Sequence, residues 1–177
     1  MKNIFVIGAG KSSSLLIKYL LDNSQKEKWK VTVGDVSLET AKQKTKNHAN
    51  SRAIVFDVND PKQRKKEISN ADIVVSMLPA SMHYTVAKDC LKLKKHLATA
   101  SYVSKEISAL NSDAKKSKLV FLNESGLDPG IDHMSAMMMI DNFKKNGDEI
   151  ISFRSYCGGL VAPECNDNPW GYKFSWN

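Results

Sequence analysis

Short apolar runs rich in β-branched residues alternate along the chain with longer stretches of helical periodicity. Six runs predict β-strands, because they are short and almost continuously apolar. They are residues 3–8, 30–35, 52–57, 71–78, 96–101 and 118–123. The intervening stretches predict helices at residues 11–23, 37–50, 60–69, 81–93 and 104–116.

The regular alternation of strand and helix predicts an α/β fold. Strands that are apolar throughout suit a parallel sheet covered by helices on both faces, and its crossover connections are right-handed. We therefore predict a Rossmann-type doubly wound parallel sheet within residues 1–125.

The pattern changes after Asn123. A turn, a Met-rich helix at residues 134–145 and a strand at 149–157 precede a tail rich in Gly, Pro and aromatic residues. The tail has no evident partner element. We predict that residues 126–177 form an interdomain helix and the start of a second, α+β domain, truncated in this chain.

Composition and charge narrow the class of protein. The sequence is 42% hydrophobic and 25% charged, as in ordinary soluble proteins. No apolar run approaches the roughly 18 residues that span a membrane, and no signal peptide precedes the first strand. We therefore predict a cytoplasmic protein with no membrane partner.

The formal net charge of +7 raises the question of nucleic-acid binding. The lysines, however, lie in helical stretches among polar residues and without interleaved aromatics, which is typical of solvated helix faces. We predict no nucleic-acid partner. The positive charge favours an anionic small ligand through long-range attraction.

The cysteines predict neither a disulfide framework nor a metal site. Cys90, Cys157 and Cys165 are odd in number and have no CxxC spacing, and no Cys/His group has the spacing of a zinc site. We predict free thiols and no metal.

A glycine-rich turn follows the first predicted strand. In the sequence GAGKSS, Gly8 allows a tight turn and Gly10 lets the backbone approach a pyrophosphate at a helix N-terminus. Ser13 stands where the third glycine of the GxGxxG fingerprint is expected. We predict that Gly8, Gly10, Lys11 and Ser12 bind a dinucleotide; the alternative is a turn with only a structural role.

Asp35 ends the second predicted strand, where a carboxylate accepts hydrogen bonds from the adenosine ribose hydroxyls. A 2′-phosphate would meet a like charge there, so Asp35 favours NAD over NADP. Lys42 and Lys44 offset part of that repulsion, so NADP stays possible. Alternatively, Asp35 only caps the following helix.

The sequence SMLPASMH follows the fourth strand, at the sheet edge where open α/β folds bind ligands. We include Leu78 and Pro79 among the predicted cofactor-binding residues. His83 falls in the first turn of the next helix, where a capping or surface role is the simpler interpretation.

A Pro-Gly turn within residues 123–137 is surrounded by Asp128, Asp132 and His133. The pair forbids regular helix or strand at that point. Taken alone, Asp128 is as readily an ordinary turn aspartate as a functional one, whereas Asp132 and His133 suit caps of the next helix.

Five motifs together resemble the saccharopine dehydrogenases of the L-glutamate-forming type. They follow one another in the family's order along the whole chain: MLPASMH (77–83), ASYVS (100–104), GLDPGIDHMSAM (126–137), SYCGGLVAPE (155–164) and NPWGYKFSW (168–176). The last three are long and specific.

The resemblance implies an oxidation of saccharopine with NAD or NADP. Hydride leaves the ε-carbon of the lysine-derived part, and hydrolysis of the imine gives 2-aminoadipate 6-semialdehyde and glutamate. The implied partners are these small molecules and, in the full-length protein, a second copy in a homodimer.

The resemblance also implies three catalytic residues, Tyr102, Asp128 and Cys157. Val161 and Trp170 depart from the family's usual Pro and Leu without removing a titrating group. Chains of the family continue for some hundreds of residues through a substrate and dimerisation domain, so we expect this 177-residue chain to be inactive alone. The alternatives are a carboxynorspermidine dehydrogenase-like enzyme and a non-catalytic dinucleotide-binding module.

Overall fold

The computed structural model describes residues 1–156 and 161–171. The chain forms two compact units, Met1–Asp132 and His133–Asn177. The predicted boundary after residue 125 stays a prediction.

A six-stranded parallel sheet forms the centre of the first unit, in the order β3-β2-β1-β4-β5-β6. The strands are β1 (Lys2–Ile7), β2 (Trp29–Asp35), β3 (Ser51–Val55), β4 (Ile73–Ser76), β5 (His96–Thr99) and β6 (Phe121–Leu122). The helices are α1 (Ser14–Asp22), α2 (Leu38–Thr45), α3 (Pro61–Ser69), α4 (Ala80–Leu93), α5 (Lys105–Ala109) and α6 (Asn111–Lys116). This architecture confirms the predicted doubly wound sheet.

Strand β1 shows why the sheet needs helices on both faces. Its side chains alternate between the faces, as in any strand. Ile4 and Val6 join a core that contains residues of α1 and α2, whereas Phe5 and Ile7 join a core that contains residues of α3, α4 and α5. All four side chains are buried, so neither face of the strand tolerates solvent.

The last predicted helix and strand differ from the structure. The helix divides at Leu110 into α5 and α6, because the Leu110 amide bonds to the carbonyl of Ile107 in a tightened turn. Lys118 then adopts a left-handed conformation with φ of 56°, and the Leu119 amide bonds to the carbonyl of Ala114. Only Phe121 and Leu122 are left to pair with β5.

The second unit contains the rest of helix α7 (Ile131–Lys145) and a 3-10 turn at Pro163–Cys165. No residue of α7 is buried, and Tyr156 and Trp170 are 87% and 86% exposed. The strand predicted at residues 149–157 is wrong over 149–156, because no neighbouring strand among the described residues pairs with it. None of the helices in the described ranges is long and apolar enough to cross a membrane.

Candidate functional site

The carboxyl ends of β1 and β4 form the switch point of the sheet. These strands are neighbours, and the helices that follow them, α1 and α4, contribute to cores on opposite faces. The two loops at this point are the glycine-rich turn after β1 and the segment Leu78–Pro79 after β4. Ligands of doubly wound folds bind at such a position.

Gly8 and Gly10 differ in what they require of a side chain. Gly8 has φ of +102°, and a Cβ there would stand 3.0 Å from the carbonyl oxygen of Met77. The backbone conformation and the neighbouring carbonyl therefore require glycine at this position, irrespective of any ligand. A Cβ built on Gly10 meets no heavy atom within 4 Å, so the protein leaves open space in front of that residue.

Ser13 stands where the GxGxxG fingerprint has its third glycine. Its side chain is fully buried, and its Oγ donates a hydrogen bond to the Gly10 carbonyl at 2.8 Å. The small, buried hydroxyl thus fixes the loop through Gly10. Lys11 and Ser12 begin the short 3-10 turn Lys11–Ser13 that precedes α1, and both are exposed.

Asp35 links the glycine-rich turn to the end of β2 by hydrogen bonds. Its Oδ2 accepts the amide of Ala9 at 2.8 Å, and its Oδ1 accepts the amide of Ser37 at 2.9 Å. Helix α2 is capped by Ser37, whose Oγ accepts the Thr40 amide. The alternative that Asp35 only caps the helix is therefore wrong.

A cleft of about 220 Å³ brings together four of the predicted cofactor-binding residues, Gly8, Asp35, Leu78 and Pro79. Apolar side chains such as Ile7 and Phe56 share its lining with the exposed carboxylate of Asp57. Gly10, Lys11 and Ser12 do not line it. They follow Gly8 in the chain.

Tyr102 and Asp128 are brought together although 26 residues separate them. The Tyr102 hydroxyl donates a hydrogen bond to Asp128 Oδ1 at 3.0 Å. Tyr102 follows β5 and Asp128 follows β6, which are paired parallel strands, so both residues lie beyond the carboxyl edge of the sheet. Both side chains are exposed at the surface of the first unit.

Backbone contacts hold the turn that carries Asp128. The Gly126 amide bonds to the Pro129 carbonyl, and the Ile131 amide bonds back to the Gly126 carbonyl, each at 2.9 Å. Gly130 has φ of +146°, and a Cβ there would stand 2.2 Å from Gly126 oxygen. No residue other than glycine fits at that position.

Neither Asp132 nor His133 is the residue that precedes helix α7. Helix α7 begins at Ile131, so both residues lie within its first turn. Asp132 Oδ1 accepts the amide of Gly130 at 2.9 Å and thereby reinforces the turn.

The predicted catalytic residue Cys157 lies outside the described residues. Of the other cysteines, Cys165 is an exposed free thiol, and Cys90 is a buried free thiol. Burial raises the pKa of Cys90 to about 12, so this thiol is inert as a nucleophile at neutral pH.

His83 is a buried residue that the sequence interpretation placed at the surface or in a cap. It is 2% exposed, and its Nδ1 lies 2.8 Å from Ser76 Oγ. Its Nε2 lies 2.8 Å from Ser101 Oγ and 3.1 Å from Thr99 Oγ1. The sequence did contain a signal for this site, namely hydroxyl residues at the ends of two predicted strands near a histidine. It did not indicate that these two strand ends are neighbours.

Burial makes His83 a source of pH-dependent stability. Desolvation lowers the pKa of His83 below its ordinary value of 6.5, so the unfolded chain binds a proton more readily than the folded chain. We expect the free energy of unfolding to fall as pH falls through 6.5 and below, and this contribution to be fully present above that pH. Urea unfolding at pH 8 and pH 5.5 measures the difference. It should shrink in His83→Asn, and an equally large difference in that variant would contradict the assignment.

Two family models match consecutive parts of the chain. Residues 4–122 match the saccharopine dehydrogenase NADP binding domain, and residues 126–177 match the saccharopine dehydrogenase C-terminal domain. The matches confirm the resemblance carried by the sequence motifs and the prediction of an NAD(P)-binding domain.

Individual relatives agree with the family models. The chain is 40% identical over 177 residues to the saccharopine dehydrogenase (NADP(+), L-glutamate-forming) of Schizosaccharomyces pombe, covering 100% of this chain and 39% of that protein. It is 46% identical over 156 residues to the alpha-aminoadipic semialdehyde synthase of Arabidopsis thaliana, covering 88% of this chain and 15% of that protein.

A solved structure supports the same relationship. The apo histidine-tagged saccharopine dehydrogenase (L-Glu forming) from Saccharomyces cerevisiae matches with a TM-score of 0.83 and 38% identity. The match covers 99% of this chain and 39% of that chain. The present chain thus spans about two fifths of the length of its fungal relatives.

Proposed function

We propose that this chain, which belongs to the saccharopine dehydrogenase family, is the cofactor-binding part of an oxidoreductase that acts on the CH–NH bond of saccharopine with NAD(P). The products are 2-aminoadipate 6-semialdehyde and L-glutamate, in a reaction of lysine metabolism. Because the chain spans 39% of its fungal relative, the reaction is proposed for a protein of that relative's length.

The observation that carries the proposal is the arrangement along one edge of the sheet. The glycine-rich turn and its cleft lie at the switch point between β1 and β4. The Tyr102–Asp128 hydrogen bond lies beyond β5 and β6 on the same edge. A dinucleotide site and a pair of proton-carrying groups are the two parts that oxidation of an amine requires.

The residues of the glycine-rich turn fit a dinucleotide. The open space at Gly10 lets a pyrophosphate approach the backbone, and Asp35 offers a carboxylate to ribose hydroxyls. When bound, the nicotinamide supplies the acceptor for the hydride that leaves the ε-carbon of the lysine-derived part.

Tyr102 and Asp128 are proposed to manage the protons of hydrolysis. The hydroxyl of Tyr102 orients the carboxylate by donating a hydrogen bond to Oδ1. Asp128 takes a proton from the water that adds to the imine carbon. Asp128 returns that proton to the nitrogen, and the carboxylate then accepts the hydroxyl proton of the carbinolamine as the C–N bond breaks, so that the aldehyde forms and glutamate leaves.

Three further predictions stay proposals. Cys157 is proposed as a catalytic residue on the resemblance alone. A homodimer of the longer protein is proposed on the same basis. The cytoplasmic location stays a prediction, and mammalian relatives of the chain, such as the one from Bos taurus, carry the word mitochondrial in their names.

Substrate identity tests the function against its two alternatives. A protein of the relatives' length that contains residues 1–177 should produce NADH or NADPH from saccharopine. Turnover of carboxynorspermidine in its place would support the related dehydrogenase. Stoichiometric dinucleotide binding without turnover of any amine would support the non-catalytic module.

Asp35 should make NAD the preferred cofactor. The fungal relatives carry NADP in their names, so the preference is a property proposed for this chain. A 2′-phosphate close to the Asp35 carboxylate meets a repulsion of roughly 1 to 4 kcal/mol, equivalent to about 5-fold to 900-fold in affinity. Fluorescence titration with NADH and NADPH measures the ratio.

Asp35→Asn is the matched variant for this preference. The amide retains an acceptor oxygen for the Ala9 or Ser37 amide but removes the charge, so NADPH affinity should rise toward that of NADH. Lys44 is the competing influence, because its Nζ donates to Ser14 Oγ at the start of α1. Equal affinities of the parent chain for the two dinucleotides would refute the role of Asp35.

A further inference from the structure

The backbone around Tyr102 is held by a residue that follows the carboxyl end of β6. Glu124 follows that strand and adopts a left-handed conformation with φ of 58°. Its amide donates to the carbonyl of Ser101 at 3.0 Å, and its Oε1 accepts the amide of Val103 at 3.1 Å. One residue therefore binds both chain neighbours of Tyr102.

The left-handed conformation is what lets Glu124 make both contacts. Non-glycine residues rarely adopt positive φ, and the conformation persists where surrounding interactions favour it. Here the backbone amide and the side chain of the same residue reach two successive peptide groups. The two bonds close a ring that contains Tyr102.

The core fixes the same segment from the other side. The Oγ of Ser101 lies 2.8 Å from Nε2 of the buried His83. This contact ties residue 101 to α4. The Val103 side of the segment is tied by the carboxylate of Glu124.

The backbone contributes to the position of Tyr102, a residue that is 64% exposed. An exposed ring gains little orientation from packing, whereas its hydroxyl must stay within 3.0 Å of Asp128 Oδ1 to hold that hydrogen bond. Movement at residue 101 or 103 would displace the ring. A constraint on both peptide groups limits that movement.

We propose that Glu124 is a positioning residue that holds the Tyr102 hydroxyl on Asp128 through its bonds to Ser101 and Val103. The positioning stands on the geometry of this chain. Its consequence for turnover rests on the proposed function of Tyr102 and Asp128.

Two substitutions distinguish the role of Glu124 as a hydrogen-bond acceptor from the role of its negative charge. Glu124→Ala removes the oxygen that binds the Val103 amide, whereas Glu124→Gln retains an oxygen at the same reach. Glu124 is exposed, so neither change removes core packing. Glu124→Gly removes the same oxygen at no cost for positive φ, and it replaces the Ala variant should that variant fail to fold.

Amide hydrogen exchange on the 177-residue chain tests the positioning without reference to catalysis. Exchange of the Val103 amide should accelerate about tenfold in Glu124→Ala and stay close to the parent rate in Glu124→Gln, as expected for one lost hydrogen bond.

The NMR signals of the Tyr102 ring provide a second measurement. Adding Asp128→Asn should shift these signals in the parent chain and in Glu124→Gln, but less so in Glu124→Ala. Identical Val103 exchange and identical Tyr102 responses in all backgrounds would overturn the proposal.

Turnover in a protein of the relatives' length tests the consequence. Glu124→Ala should lower kcat about tenfold with little change in KM, and Glu124→Gln should restore it. Altered exchange with unaltered kcat would overturn the part of the proposal that concerns the reaction. A parent protein that does not oxidise saccharopine would contradict the proposed function instead, and the exchange comparison would still decide the positioning role.

Discussion

Asp128→Asn should lower the turnover of saccharopine oxidation by roughly 10² to 10⁴ in a protein of the relatives' length. The amide preserves the size of the side chain and an oxygen for the Tyr102 hydroxyl, but it cannot accept the proton from water. Steady-state kcat measured by NADH production gives the effect. Dinucleotide affinity should stay nearly unchanged.

A surface carboxylate provides the control for this variant. Asp113 lies on α6, with an exposed side chain 3.8 Å from Lys116 Nζ. Asp113→Asn changes the same charge away from the proposed site and should leave kcat at the parent value. Full turnover in Asp128→Asn would reduce Asp128 to a structural turn residue.

Gly10→Val should abolish dinucleotide binding while the chain stays folded. The protein has no heavy atom within 4 Å of a Cβ at this position, so the added side chain meets no part of the protein at its first atom. It would instead fill the space through which a pyrophosphate reaches the backbone. We expect affinity for NADH to fall by more than about 100-fold, or about 3 kcal/mol.

The control adds comparable bulk at the opposite edge of the sheet. Ala49 is exposed and lies two residues before β3 begins at Ser51, at the amino end of that strand. Ala49→Val should bind NADH as the parent does. Circular dichroism verifies folding of both variants, and unchanged affinity in a folded Gly10→Val would mean that the cofactor binds elsewhere.

The sheet could be predicted from the sequence because each strand and helix is indicated by the pattern of its own residues. Each strand is an apolar run, and each helix between strands has a recognisable periodicity, so the parallel direction of the strands follows from the helices that connect them. The glycine-rich turn and Asp35 could be placed at one edge by the same reasoning. Strand β6 could not be bounded, because a left-handed Lys118 shortens it, and side-chain periodicity carries no signal for that conformation.

Contacts across the sheet edge could not be predicted from local patterns. The Asp35–Ala9, His83–Thr99 and Tyr102–Asp128 hydrogen bonds each join residues separated by 16 to 26 positions. Whether these residues meet depends on the register and twist of the strands, and no local sequence pattern indicates either. For Tyr102 and Asp128, the family motifs indicated both residues but not their contact.

We expect the carboxyl edge of the sheet, at the turn after β1, to bind a nicotinamide dinucleotide. Amide chemical-shift mapping of the isotope-labelled 177-residue chain during titration with NADH tests it most directly. Saturable shifts should be concentrated at residues 8–13, 35–37, 57–59 and 78. Saturable shifts confined to the opposite edge, around residues 49–52, or no shifts in a folded chain, would contradict it.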